Sequence, residues 1–281
     1  MRPYICCHNH IGRTINRAPT VGQNAQMCLS RFAETDIYAA ISMPTAVGSP
    51  ITRGIQDIRE QNEAIARACK KFPHVFPIGM ALIEPRFGEL GIDEAEKAMD
   101  DLGLVGIAGH PPMKEEILPM VEVAAARNGL CNLHWHDSLM DRTARTFPNA
   151  QFIVHASTWA AENLSQHDNI WFEVVQYPDG RGSTWDCKWF ADKVGRERLI
   201  FGADLPYYDY RFLQRVIEEA DCDDDLKDRI AHQNVLALIK QYKPDWTLPT
   251  QPPQAPRVYD PDRLWACNPD QPDRLTVDIL P

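Results

Sequence analysis

Positive charge is scarce in this chain: 29 Lys and Arg stand against 39 Asp and Glu, for a net charge of −10. A surface of that sign repels phosphate, so nucleic acid and anionic membranes are not expected partners. Long apolar runs are missing too. None reaches the ~18 residues that a spanning helix needs. The start, Met1-Arg2-Pro3-Tyr4-Ile5, leads straight into a strand pattern and shows no signal peptide. The eight cysteines include no CxxC pair and fall mostly in predicted strands or helices, Cys6 and Cys7 side by side among them. That distribution reads as reduced thiols in a cytoplasmic protein. A Gly-rich phosphate loop after the first strand is also lacking. His8-Asn9-His10-Ile11-Gly12-Arg13 stands in its place, which argues against a doubly wound nucleotide-binding sheet. Repeats and low-complexity tracts are absent.

What is present alternates. Eight short apolar runs, at 4–8, 36–42, 76–82, 104–108, 130–134, 152–155, 170–175 and 199–202, read as strands. Most are continuously apolar, as parallel strands covered on both faces are. Between them lie helical stripes, clearest at 54–72, 116–127 and 225–241. Asn128-Gly129 closes the second of these, with Gly129 as the expected helix C-cap. Eight alternating β and α units predict an α/β fold, a distorted (β/α)8 TIM barrel over 1–242. From 243 to 281 the chain turns rich in proline, with Trp246, Tyr259 and Trp265. This extension is expected to pack on the barrel or on a partner subunit.

Six of the nine histidines sit where apolar runs end: His8, His10, His110, His134, His136 and His155. The run 198–203 ends instead in Asp204. In a parallel barrel those ends meet at one mouth, where active sites are built. Imidazoles and a carboxylate at one point suit a divalent transition metal. His8 and His10 are two apart and so share a side of their strand. His134 lies as deep in its strand as His155 does, which favours it as the third ligand. His136 is one step further out, beside Trp135. Asp204 would need a partner if buried. The alternative, that it caps the following helix, is weaker because Pro206, Tyr207 and Tyr208 intervene. Arg13, Trp135, His136 and Tyr207 lie just beyond strand ends and are candidates to hold substrate.

Taken together these residues resemble the amidohydrolase superfamily and, more narrowly, the amidohydrolase-related (amidohydrolase 2) family. The matching pieces are His8-Asn9-His10, His134, 147–155 (FPNAQFIVH), 198–206 (RLIFGADLP) and 230–238 (IAHQNVLAL). The resemblance spans roughly 4 to 240. It implies a distorted TIM barrel, a divalent metal, and either hydrolysis of C–N or C–O bonds or non-oxidative decarboxylation of aromatic acids. Two-metal members carry a lysine or glutamate at the end of strand 4, in a GIKxHP-like segment. Here Ala108 holds that place in Gly106-Ile107-Ala108-Gly109-His110, so one ion is expected. His110 and His136 are the residues through which a second would enter.

The preferred expectation is a metal-dependent hydrolase acting on a small carboxylated, cyclic or aromatic substrate. His8, His10, His134 and Asp204 would hold zinc, or else manganese or iron. Asp204 would take the proton of a metal-activated water, and His155 would polarise the substrate oxygen. The alternative is a metal-dependent decarboxylase with the same ligands. Further off stand an iron or manganese enzyme using oxygen, and a non-catalytic barrel subunit. The expected partners are a small-molecule substrate and other subunits in a homo- or hetero-oligomer.

Overall fold

The computed structural model describes residues 2–12, 23–44, 53–109, 115–133, 138–175 and 186–255. The strands are β1 (Tyr4–Ile11), β2 (Ile37–Pro44), β3 (Ala81–Leu82), β4 (Gly106–Ala108), β5 (Leu130–Asn132), β6 (Gln151–His155), β7 (Ile170–Val174) and β8 (Leu199–Phe201). The helices are α1 (Ala25–Ala33), α2 (Ile55–Lys71), α3 (Glu89–Asp100), α4 (Leu118–Ala126), α5 (Ser138–Thr146), α6 (Thr158–Leu164), α7 (Cys187–Val194), α8 (Tyr210–Glu219), α9 (Asp224–Asp228) and α10 (Asn234–Tyr242).

β1 pairs with β2, and β3 to β8 pair in chain order; every ladder is parallel. Single parallel bridges, Ser42–Gly79 and Asn9–Leu205, join the two sheets at both edges. The strands therefore follow one another around a TIM barrel, with helices outside. No helix among the described residues is long and apolar enough to cross a membrane.

Alternation sorts the side chains into two cores. Ile5, Cys7, Ile41, Met43, Met80, Leu130, Ile153, Trp171 and Ile200 form the barrel interior, and Val235, Leu238 and Ile239 of α10 join them. Tyr4, Cys6, Ile107, Cys131, Phe152, Phe172 and Phe201 face the helix layer. Trp246 and Leu248, just past α10, pack against the interior group, and the Trp246 indole N–H donates to the Pro73 carbonyl at 3.1 Å. Tyr259 and Trp265 lie outside the described residues.

Three details depart from the sequence expectation. Of the run 76–82 only Ala81–Leu82 is strand. The stripe at 225–241 is not one helix, because a π-helical turn (Arg229–Gln233) separates α9 from α10. At the end of α4 it is Asn128, not Gly129, that takes the left-handed conformation, with φ 51°. Gly129 is needed for close approach instead: a Cβ there would lie 2.9 Å from the Ala124 carbonyl oxygen.

Asn234 ties α10 to the barrel. Its buried side-chain N–H2 donates to the carbonyls of Arg196 and Leu199, at 2.8 and 2.7 Å. Asn234→Ala should cost about 1–3 kcal/mol by orphaning those carbonyls. Asn234→Asp should cost more, since it sets a carboxylate with no donor against two acceptors. Urea denaturation ranks the two variants, and an Asp variant as stable as wild type would refute this role.

Candidate metal centre

A bulge builds this site. In the β1–β2 ladder Cys6 opposes Ala40, and three residues later Asn9 opposes Ser42, two residues on, so β1 carries one extra residue. The bulge resets the alternation. Ile5 and Cys7 face the interior, and so do His8 and His10. Asn9 turns outward, where its oxygen accepts from the Gln23 side-chain amide at 3.0 Å. Without the extra residue Asn9 would enter the barrel and both histidines would face the helices.

Asp204 arrives from the other side. After β8 the chain runs beside β1, with the His10 amide donating to the Leu205 carbonyl at 2.8 Å and the Leu205 amide to the His8 carbonyl at 3.1 Å. Asp204 itself takes a left-handed conformation, φ 46°, which an aspartate tolerates better than most residues. It does not cap a helix. Asp209 caps α8, accepting from the Arg211 amide.

Three atoms converge. The Nε2 atoms of His8 and His10 are 2.9 Å apart, and Oδ1 of Asp204 lies 3.3 Å and 3.0 Å from them. All three side chains are buried. The opposite ring nitrogens are both occupied. His8 Nδ1–H donates to the Glu173 carboxylate at 2.8 and 2.9 Å, and His10 Nδ1–H donates to the Pro44 carbonyl at 2.6 Å. Both partners only accept, so in the neutral rings the Nε2 atoms carry lone pairs. Two imidazole lone pairs and a carboxylate oxygen, aimed at one point out of water, call for a cation. Separations near 3 Å let one first-row ion touch all three, given metal–N and metal–O bonds of about 2.0–2.2 Å. The donor set therefore fits a divalent metal.

His155, at the end of β6, joins from behind. Its ring centroid is 5.7 Å from that of His8, and its Nε2 lies 3.6 Å from Glu173 Oε2. His8, His155 and Glu173 make a second group with metal-ligand spacing. Tyr207 stands edge-on to His10 at 5.4 Å and is 38% exposed. Ala108 ends β4 with a buried methyl group. Arg13, His110, His134, Trp135 and His136 lie outside the described residues.

Glu173 is the residue that sequence reasoning passed over. The run Ile170-Trp171-Phe172-Glu173-Val174 reads as a strand and nothing more. The signal was the lone carboxylate at an interior position of an apolar run, two residues from Trp171, which demands a buried partner.

A parallel eight-stranded barrel with a His-His-Asp cluster at its strand ends defines a class of metal-using barrel enzymes. Residues 5–240 match the family model for amidohydrolase, and the chain belongs to that family, the amidohydrolase 2 type. No curated protein matches it in sequence. Solved structures of similar fold include 2,6-dihydroxybenzoate decarboxylase in complex with 2,6-dihydroxybenzoate, 13% identical with a TM-score of 0.63, over 86% of this chain and 99% of that one. Another is dihydroxybenzoic acid decarboxylase from Polaromonas sp. JS666 with manganese and 2-nitroresorcinol bound, 14% identical with a TM-score of 0.64, over 85% and 97%. A third is 5-carboxyvanillate decarboxylase from Sphingomonas paucimobilis, 13% identical with a TM-score of 0.64, over 85% and 99%. At such identities the likeness is one of fold.

The electrostatics yield a pH test. Burial opposes a charge on His8, but the carboxylates of Glu173 and Asp204 outweigh it and raise its pKa from 6.5 to about 9. A raised folded-state value stabilises the fold fully below pH 6.5, and that stability is lost as pH climbs through about 9. Metal-free protein should therefore lose Tm across this interval, and His8→Gln should flatten the slope. An unchanged slope in His8→Gln would rule His8 out as its source.

Proposed function

We propose that the chain is a metal-dependent decarboxylase, a lyase that removes CO2 without oxidation from a small hydroxylated aromatic carboxylate. The observation that carries the metal dependence is the ligand set: two imidazoles and one carboxylate converge where β4 offers only the Ala108 methyl, which suits a single ion. The similar folds named above, one with manganese bound, support the choice of reaction over hydrolysis. His8, His10 and Asp204 would hold the ion, with His134 as the expected further ligand; manganese is the first to test, ahead of zinc and iron. When bound, the ion supplies a Lewis acid for the substrate carboxylate and a neighbouring oxygen.

The chain's own groups must move one proton. Decarboxylation places a proton on the carbon that bears the carboxylate, and as CO2 leaves the C–C electron pair returns to the ring. His8 and Glu173 are fully buried, whereas Asp204 and His155 are 5% and 8% exposed. Of these four, Asp204 and His155 are the less enclosed and would be the proton carriers. Burial favours a protonated Asp204, but His8 and then His10 and His155 dominate and hold it well below the usual carboxylate range. Tyr207, edge-on to His10, would meet an aromatic ring, and Arg13, Trp135 and His136 would be further substrate contacts.

Protein loaded with manganese should hold close to one equivalent and release CO2 from a panel of hydroxybenzoates. Turnover of amides or lactones with no CO2 from any carboxylate would favour the hydrolase instead, and two equivalents would bring His110 or His136 into the metal count. Asp204→Asn should keep most of the metal and slow turnover by about 10²–10⁴-fold, the usual worth of a proton-transfer group. Near wild-type turnover with metal retained would remove Asp204 from the chemistry.

A further inference from the structure

Glu173 has no part in the reading above, yet much of the barrel is arranged around it. It is fully buried near the end of β7, between Phe172 and Val174, which face the helix layer. Putting a carboxylate there is costly unless it is paired and hydrogen-bonded. Both its oxygens accept from His8 Nδ1–H, and Oε2 lies 3.6 Å from His155 Nε2. β8 gives way to it as well. A Cβ at Gly202 would lie 2.1 Å from Glu173 Oε1, so only glycine leaves that carboxylate its place. Three elements, β1, β6 and the end of β8, thus accommodate one acid that touches no solvent.

We infer that Glu173 is a positioning residue of the metal centre. It fixes the tautomer and ring orientation of His8, so that Nε2 presents its lone pair beside His10 and Asp204. It also supplies the second negative charge that balances a divalent ion. With neutral imidazoles, the ion's +2 is cancelled by Asp204 and Glu173, leaving the buried cluster neutral. A carboxylate on the far nitrogen of a ligating imidazole raises its basicity and holds its orientation. Direct ligation by Glu173 fits less well. Its oxygens lie at hydrogen-bond distance from His8 Nδ1, and a metal there would need that nitrogen stripped of its proton. The inference rests on the metal reading above and not on the reaction catalysed.

The test is metal affinity, measured by competition titration with manganese and a chelating dye, alongside Tm with and without metal. Wild type is titrated first, and wild type that binds no divalent ion would refute the metal reading and this inference together. With wild-type binding in hand, Glu173→Gln should bind the same number of ions 10–100-fold more weakly, as loss of such outer partners usually does. The rise in Tm on adding metal should shrink. Glu173→Asp, which keeps the charge but shortens the reach, should recover part of the affinity. Gly202→Ala, which displaces the carboxylate without removing it, should weaken binding in the same direction and stands in if the Gln variant does not fold. A purely structural role gives the opposite result: Tm falls equally with and without metal while Kd is unchanged. A drop in stoichiometry from two ions to one in Glu173→Gln would also overturn the inference, by making Glu173 a ligand.

Discussion

Like-charged and lone-pair atoms crowded together out of water are the constraint on which this structure turns. His8 Nε2, His10 Nε2 and Asp204 Oδ1 sit within 3.3 Å of one another, with a second buried carboxylate behind His8. Each buried charge forfeits several kcal/mol of hydration, in a fold whose whole margin is of order 5–15 kcal/mol. Such a cluster is tolerable only with positive charge at its centre. A proton on His8 supplies part of it, and a divalent ion would neutralise both carboxylates. Proton and metal therefore compete for the same atoms, and occupancy of the centre is tied to stability of the fold.

The fold meets this demand by breaking local rules at a few places. The extra residue in β1 turns His8 and His10 inward, where regular alternation would have sent them to the helices. The left-handed turn at Asp204 brings its carboxylate back over β1 as the chain leaves β8. Gly202 gives up a side chain so that Glu173 has room. None of these is good strand chemistry in isolation. They cluster at the strand ends, as local departures from regular geometry tend to do at working sites. Below them the interior is mainly apolar, from Ile5, Ile153, Trp171 and Ile200 down to the α10 residues, with the Trp171 indole N–H donating to the Gln151 side chain at 2.9 Å. The chain thus keeps its polar layer apart from the layer that holds the barrel together.

That separation explains what the sequence revealed and what it hid. Continuous apolar runs marked the strands, because parallel strands buried on both faces leave no other pattern. Histidines at their ends marked the mouth, because imidazoles rarely end several such runs by accident. The bulge was invisible, since nothing in Cys6-Cys7-His8 distinguishes an extra residue from a regular strand; spacing alone put His8 and His10 on a shared side but could not say which. Glu173 was hidden because its partners, His8, His155 and Gly202, lie far away in the chain and are joined only by the closing of the barrel. The π turn after α9 was hidden in the same way, since the apolar stripe runs through it.

The two chemistries open to such a centre make different electrostatic demands on Asp204. Hydrolysis asks it to take a proton early, and a carboxyl held well below its usual range is a weak base. Decarboxylation asks it, or His155, to give a proton to carbon, which the resting Asp204 does not carry. An arriving carboxylate changes that balance. Its negative charge, placed beside the cluster, offsets the pull of His8, His10 and His155 and raises the proton affinity of Asp204. A neutral amide or lactone brings no such charge. With a divalent ion also bound, its charge would oppose that proton, so only a substrate that brings negative charge to the ion would offset it and let Asp204 or His155 carry the proton to carbon.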